Sequence, residues 1–449
     1  MEGKASKLML LMFAHTISPR LQYIVDFFSK ELFEEPIRIT TDANYYRTYT
    51  EPRINYSDAA FSEEEFFIHS TSLLFETGIQ PQSITCFDIN FHKAFFETSG
   101  DFPFDILAAS FYLISRYEEY LPHEKDQYGR YAHTNALAFR ENFLSMPLVN
   151  IWLDEFKRAL LQKFPSLSFK QPQFKCVLTY DIDIAYSYLH KGWKRTLGGF
   201  VKSFIDADWK RIKERWLVLR RKKKDPYDCF EWLDAWHLYC RVKPYFFFLV
   251  AKNRGQYDKN ISCDKKAFRD LIAYYADTYK VGWHPSWQSG DDPSLFKEEL
   301  EWLEVVADKK MVHSRQHYIR FALPDTFRQL TNAGIGIDFS MGYGSINGFR
   351  ASVCSSFYWY DLHKETTTSL LLYPFCFMDA NSVYEQKHTP QQAYNELIQY
   401  YECVKRYKGI FVPIWHNNIL GTDAQFTGWR QLFELFMKET VYWDAYYDE

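Results

Sequence analysis

Apolar residues in the second half of the chain fall in short, nearly continuous runs, and polar residues gather where those runs stop. Residues 174–183 (FKCVLTYDID), 243–250 (KPYFFFLV), 281–286 (VGWHPS), 311–317 (MVHSRQH), 335–340 (IGIDFS), 370–376 (LLLYPFC) and 409–417 (GIFVPIWHN) read as seven strands. Residues 265–279, 295–307, 325–333 and 390–407, between them, carry apolar positions at helical spacing. Such βα alternation predicts a parallel sheet or barrel. Runs that are apolar at nearly every position, such as 245–250, predict strands covered on both faces.

The first half mixes element types. Residues 8–13 read as a strand, 18–32 as an amphipathic helix, and 37–41 and 53–56 as short strands. Residues 104–121 have the spacing of one long helix that Pro122 stops, and 151–164 form a second. The stretch 165–172, bounded by Pro165 and Pro172, reads as a linker. The expected division is a smaller α/β N-terminal domain over 1–165 and a second domain over 172–449, since 449 residues exceed what one core usually organises.

Composition sharpens this picture at three points. Aromatic residues make up 19% of the chain, enough to fill large cores and also to supply flat surfaces for sugar rings. The net charge of −4 excludes a nucleic-acid partner for the chain as a whole. Residues 191–224 depart from that average, with 13 Lys or Arg against Asp206, Asp208 and Glu214, a local charge of +10. Trp193, Trp209 and Trp216 are interleaved with these charges, a pattern that suits peripheral contact with an anionic membrane or an anionic lipid-linked glycan, or a helix packed on the barrel with solvated lysines. The eight cysteines are scattered without a Cys-x-x-Cys pair, so reduced thiols are expected. The run 8–14 lacks the length and cleavage signal of a secretory peptide, and no run is long enough to span a bilayer, so the expected location is cytoplasmic, at most peripheral to a membrane.

In a βα barrel the reacting residues project from the C-terminal strand ends. Asp181, Asp183, His284, Arg315, His317, Asp338 and His416 all fall at such ends. Asp181 and Asp183 are two apart, so in a regular strand both face one side. Two adjacent carboxylates repel unless a cation or a shared proton offsets them, and a divalent metal serves. Two solvated aspartates ending a strand would also account for the pair taken alone.

TYDID at 179–183 resembles the first motif of the polysaccharide deacetylases, carbohydrate esterase family 4, in which an Asp base precedes a metal-binding Asp. Gly282-Trp283-His284-Pro285-Ser286 is similar to that family's second motif, Arg315-Gln316-His317-Tyr318 to its Arg-x-Pro-Tyr motif, and Ile414-Trp415-His416-Asn417 to its last. The resemblance covers residues 175–429. It is nearest to a bacterial subgroup that carries GFRA (348–351), RQHYIR (315–320) and an additional N-terminal domain with a segment like SRYEEYL (115–121). It implies a distorted seven-stranded (β/α) barrel and a metal-dependent hydrolase that removes N-acetyl groups from a glycan. It also implies Asp181 as base, His416 as acid, Arg315 holding Asp181 ionised, and the Tyr318 backbone N–H as oxyanion donor. Asp183 and His284 would bind the metal, zinc by expectation. The second family histidine is replaced by Gln288; His317, standing where the family often has Pro, would complete an Asp, His, His set, the alternatives being a weak site completed by water or no metal at all. Trp415 and Trp287 are expected to offer sugar-stacking surfaces, and Asp338 and Arg350 to meet substrate hydroxyls. The alternatives are a metal-free glycan-binding or regulatory protein on the same barrel, and a hydrolase of a non-sugar amide.

Overall fold

The computed structural model describes residues 9–447. A parallel four-stranded sheet opens the chain: β1 (Leu11–Phe13), β2 (Arg38–Thr40), β3 (Arg53–Ser57) and β4 (Phe66–His69), in the order β2-β1-β3-β4. The helix Pro19–Leu32 crosses from β1 to β2. Ser18 caps it by accepting the Leu21 amide at 3.0 Å, with Pro19 in the first turn where no amide hydrogen is needed. A hairpin follows, β5 (Phe87–Ile89) with β6 (His92–Ala94), and then the helices Ile106–Ile114 and Leu148–Lys163.

After a short strand β7 (Lys175–Cys176), the alternation begins with β8 (Thr179–Ile182), β9 (Tyr245–Val250), β10 (Lys280–Pro285), β11 (His313–Ser314) and β12 (Ile337–Asp338). The remaining strands are β13 (Phe357–Asp361), β14 (Thr366–Leu372), β15 (Phe377–Met378), β16 (Ile410–Phe411), which pairs with β7, and β17 (Pro413–His416). Nine of these form one curled sheet in the order β13-β14-β12-β11-β10-β9-β8-β17-β15. All pairings in it are parallel except the β13/β14 hairpin. Helices Lys266–Thr278, Pro293–Ala307, Asp325–Asn332 and Pro390–Arg406 connect its strands. Asp292-Pro293 and Thr389-Pro390 start two of them by the same device, a capping oxygen followed by proline.

The sheet differs from a seven-stranded barrel. It has nine strands among the described residues and is a half-barrel whose ladder ends at β13 and β15. The run 370–376 is one strand by composition, but β14 stops at Leu372. Pro374, which has no amide to donate, breaks the ladder before β15 resumes across the far edge. The expected helix 104–121 is also broken. The α-helix ends at Ile114, and Arg116 turns left-handed (φ 55°) into a short 3-10 turn, Tyr117–Tyr120. Leu8, the first residue of the predicted opening strand, lies outside the described residues.

One hydrophobic core cluster runs through both sheets, from Leu10 to Val441. Charged groups cross the same boundary. Arg350 is fully buried and paired with Glu119 at 2.6 Å, and Arg116 donates both to Glu119 (2.7 Å) and to the Arg350 carbonyl. All eight cysteines are unpaired.

Candidate active site

Strand register brings the chemistry together. In the β8/β17 ladder Asp181 lies directly opposite His416, and Asp183 follows one residue beyond β8 on the same face as Asp181. His284 lies at the C-terminal end of β10, beside Leu249 of β9 and one residue before Pro285, and Arg315 continues the β11 line by donating its backbone N–H to the Trp283 carbonyl at 3.0 Å. A cavity of about 390 Å³ opens over these ends and is lined by Asp181, Asp183, His284, His317, Tyr318 and His416.

Three imidazoles face the Asp183 carboxylate through Nε2: His284 at 3.1 Å from Oδ1, and His317 and His416 each at 3.6 Å from Oδ2. Their other nitrogens are committed. His284 Nδ1 is 2.6 Å from the Arg315 carbonyl, which can only accept, so Nδ1 carries a hydrogen and Nε2 is the nitrogen left to face the carboxylate. His317 Nδ1 is held by Asp258 at 3.0 Å and His416 Nδ1 by Asp379 at 2.6 Å. The atoms of Asp183, His284 and His317 lie within 4.8 Å of one another, a candidate metal group. Asp183 Oδ1 is buried with His284 Nε2 beside it but with no well-aligned hydrogen bond, which fits a carboxylate that faces a cation.

Asp181 is fixed from below. Arg315, fully buried, donates Nη1 to Asp181 Oδ1 at 2.7 Å, Nη2 to Thr179 Oγ1 at 3.0 Å and Nε to the Phe339 carbonyl at 3.1 Å, with its guanidinium over the Phe247 ring. Electrostatics follow from these contacts. Burial lowers the His416 imidazole, but Asp379, followed by Asp183 and Asp181, outweighs it and raises the group to about 9. His317 is likewise opposed by burial and raised to about 9 by Asp183 and Asp258. Burial works to raise the Asp183 carboxyl, yet His317 and His284 hold it well below the usual range.

Tyr318 sits in the left-handed region (φ 58°) at the cavity edge. Its carbonyl accepts Arg130 Nη1 at 2.7 Å. The loop of Arg130 is a tight turn in which Asp126 accepts the amides of Tyr128 and Arg130 and binds Arg130 Nε at 2.6 Å. Tyr128 and Arg130 therefore line the cavity although they precede the nine-stranded sheet by some 50 residues of chain. Trp287 lies beside it, stacked on Tyr257 with centroids 4.0 Å apart, and Tyr128 and Tyr318 close the aromatic group at 6.1 and 5.5 Å from Trp287.

Three expected substrate contacts lie elsewhere. Trp415 is fully buried among Phe377, Phe433 and Phe436, because alternation along β17 sends it to the face opposite His416. Asp338 is buried beneath the rim, accepting Ser314 Oγ at 2.7 Å and the Ser340 amide at 2.8 Å, and burial raises its carboxyl to about 6. Arg350 is consumed by Glu119. Gln288 is exposed, on a 3-10 turn outside the metal group. Sequence reasoning missed Asp258 and Asp379. Asp379 directly follows β15, so an Asp closing the apolar run FCFM was its signal, whereas Asp258, inside a polar loop, had none.

Residues 10–165 match the model of a family described as a family of unknown function, DUF7033. No curated protein matches. Among solved structures, a chain described as a polysaccharide deacetylase from Mycobacterium smegmatis aligns at 14% identity and TM-score 0.38, over 61% of this chain and 86% of that one. A polysaccharide deacetylase from Bacillus cereus aligns at 13% identity and TM-score 0.30, over 60% and 88%. An allantoinase aligns at 10% identity and TM-score 0.37, over 60% and 86%.

Proposed function

We propose that this chain is a metal-dependent amide hydrolase that removes N-acyl groups from the amino sugars of a polysaccharide or lipid-linked glycan. The observation that carries the reading is the convergence of His284 and His317 Nε2 on the Asp183 carboxylate, beside an Asp181 that Arg315 holds. One carboxylate and two imidazoles are a donor set that suits zinc and leaves positions open for substrate or water. A bound cation would polarise the acyl carbonyl and make water more acidic.

The chain's own groups divide the remaining work. Asp181, held in place by Arg315, takes a proton from the attacking water as the new C–O bond forms. The backbone N–H of Tyr318 is the proposed donor to the developing oxyanion, in a residue whose carbonyl, on the following peptide, accepts from Arg130. His416, kept protonated by Asp379, delivers a proton to the nitrogen as the C–N bond breaks, leaving a free amine and a carboxylate. The rings of Tyr128, Tyr257 and Tyr318, with Trp287 beside them, supply flat apolar surface for a sugar.

The test pairs elemental analysis with acetate release from N-acetylated oligosaccharides, for the parent and His317→Ala. About one equivalent of metal in the parent, lost together with acetate release in the variant, supports the reading. Parent protein that takes up no divalent metal overturns it in favour of a glycan-binding role on the same scaffold.

A further inference from the structure

The helices Trp193–Ile205 and Trp209–Leu219 form a hairpin that follows the Asp181/Asp183 strand. Their apolar residues point the wrong way for a packed element. Trp193, Leu197, Val201, Phe204 and Ile205 recur every three or four residues and are all exposed, and Trp209 continues the stripe at the start of the second helix. Trp193 is 73% exposed, Ile205 75%, Phe204 64% and Trp209 62%. Of the 21 exposed large apolar side chains among the described residues, eight lie within this hairpin, so the patch is concentrated rather than scattered. The opposite side anchors it: Val218 packs on Tyr188 and Leu189, and Arg215 lies over the Tyr188 and Phe200 rings.

Basic groups surround the stripe. Lys194, Lys202, Lys210 and Lys213 are exposed on the two helices, and Arg220-Arg221-Lys222-Lys223-Lys224 follows them directly. Lys223 and Lys224 are offset by Glu214 and Glu231, but the segment keeps its +10. A second copy of the chain is disfavoured as the cover, because two such patches repel face to face.

We propose that this hairpin docks the protein on an anionic bilayer surface, with the Trp193 to Trp209 stripe in the headgroup boundary and the lysines and arginines against lipid phosphates. This is the chemistry of an interfacial amphipathic helix. No helix among the described residues is long and apolar enough to cross a membrane, so the contact is peripheral. The hairpin is tied to the site rim. Arg195 donates to the carbonyls of Lys259 and Asn260 at 2.9 and 3.1 Å, Lys259 lines the cavity, and the adjacent Asp258 holds His317. Docking therefore brings the cavity mouth to the lipid surface. The inference stands on the patch and not on the hydrolase reading, since vesicle binding requires neither metal nor turnover.

The experiment is flotation of the full chain with phosphatidylcholine vesicles containing graded phosphatidylglycerol, with brominated lipid as a quencher of tryptophan emission. Bound protein should rise with anionic lipid and fall with salt, and emission should be quenched. Combined Trp193→Ser, Phe204→Ser, Ile205→Ser and Trp209→Ser should lower partitioning at least about tenfold, with the far-UV circular dichroism and melting midpoint of the parent. Three results overturn the proposal: no binding at any lipid composition, equal binding by a folded quadruple variant, or parent emission untouched by brominated lipid. Equally tight binding to a single-stranded oligonucleotide at the same salt also overturns it, because a phosphate chain has no use for the apolar stripe.

Discussion

Asp379→Asn isolates one charge under His416. The carboxylate oxygen stands 2.6 Å from His416 Nδ1, and two unit charges about 4 Å apart attract by about 4 kcal/mol at an effective dielectric near 20. At about 1.36 kcal/mol per pKa unit this is an upward pull of about 3 units, against burial pulling down. Asparagine keeps the shape and loses the charge. In metal-free protein, His416 should therefore titrate near the parent value of about 9 in the parent and at least about 1 unit lower in the variant, read from the imidazole carbon resonances of 13C-histidine-labelled protein. The stability consequence has a definite sign. A raised histidine stabilises the fold fully below its unfolded value of about 6.5 and loses that contribution as pH rises through about 9. Parent stability should fall across that window, and the variant should show a flatter slope. The variant also leaves one of two donors, His416 Nδ1–H or its backbone N–H, without an acceptor, so its melting point should drop by the equivalent of about 1 to 3 kcal/mol. Coincident His416 titration curves in parent and variant would refute the assignment of Asp379 as the group that keeps this imidazole charged.

Asp258→Asn should weaken metal binding about 10- to 100-fold while leaving Asp183 and His284 in place, because it frees the His317 ring from its orienting partner; chelator competition measures the change. Arg350→Ala should cost about 3 kcal/mol in urea unfolding, since it leaves Arg116 as the sole guanidinium on Glu119, a buried carboxyl that burial would raise but that Arg350 and Arg116 together hold down to about 2. Burial holds the His237 imidazole, between Tyr180 and Tyr279, down to about 3. The stability it leaves intact above about pH 6.5 is lost as pH falls toward that value, by about 2 kcal/mol between pH 7 and pH 5. His237→Asn should flatten that acid slope in denaturation curves.

Elements whose burial is one-dimensional were legible in the sequence. Strand β9 is apolar throughout because both its faces are covered, and Asp181, Asp183, His284 and His416 announced themselves as polar residues at the ends of such runs. Facing was harder to read. Trp415 stands next to His416, and period-two alternation forbids both from entering the cavity, so the histidine at the site implied a tryptophan in the core. Arg350 was misplaced for a different reason: its partner Glu119 is 231 residues away, and no local pattern reports a pairing of that range. The orienting carboxylates were hidden by the same distance. Asp379 reaches His416 only because β15 crosses to the far edge of the sheet, and the Pro374 break that permits this lies inside the run 370–376 that reads as one strand.

The stretch before residue 165 contributes to the cavity and not only to the core. Arg130 is the link. It is buried, clamped by Asp126, and donates to the carbonyl of Tyr318, the residue held in a left-handed conformation at the cavity edge. Gly344 leaves room for it, since a Cβ there would collide with the guanidinium and with the Tyr318 carbonyl. Arg20 with Glu365 and Arg116 with the Arg350 carbonyl tie the same stretch to the edge strands and the loop before them. A leftward turn in a bulky residue costs about 1 to 3 kcal/mol and persists only where its surroundings enforce it. One of the groups that hold Tyr318, Arg130, comes from the other half of the chain. Arg130→Ala should therefore leave metal content unchanged yet slow acyl release, whereas a site complete within residues 172–449 would keep the parent rate; single-turnover acetate release by metal-loaded protein separates the two.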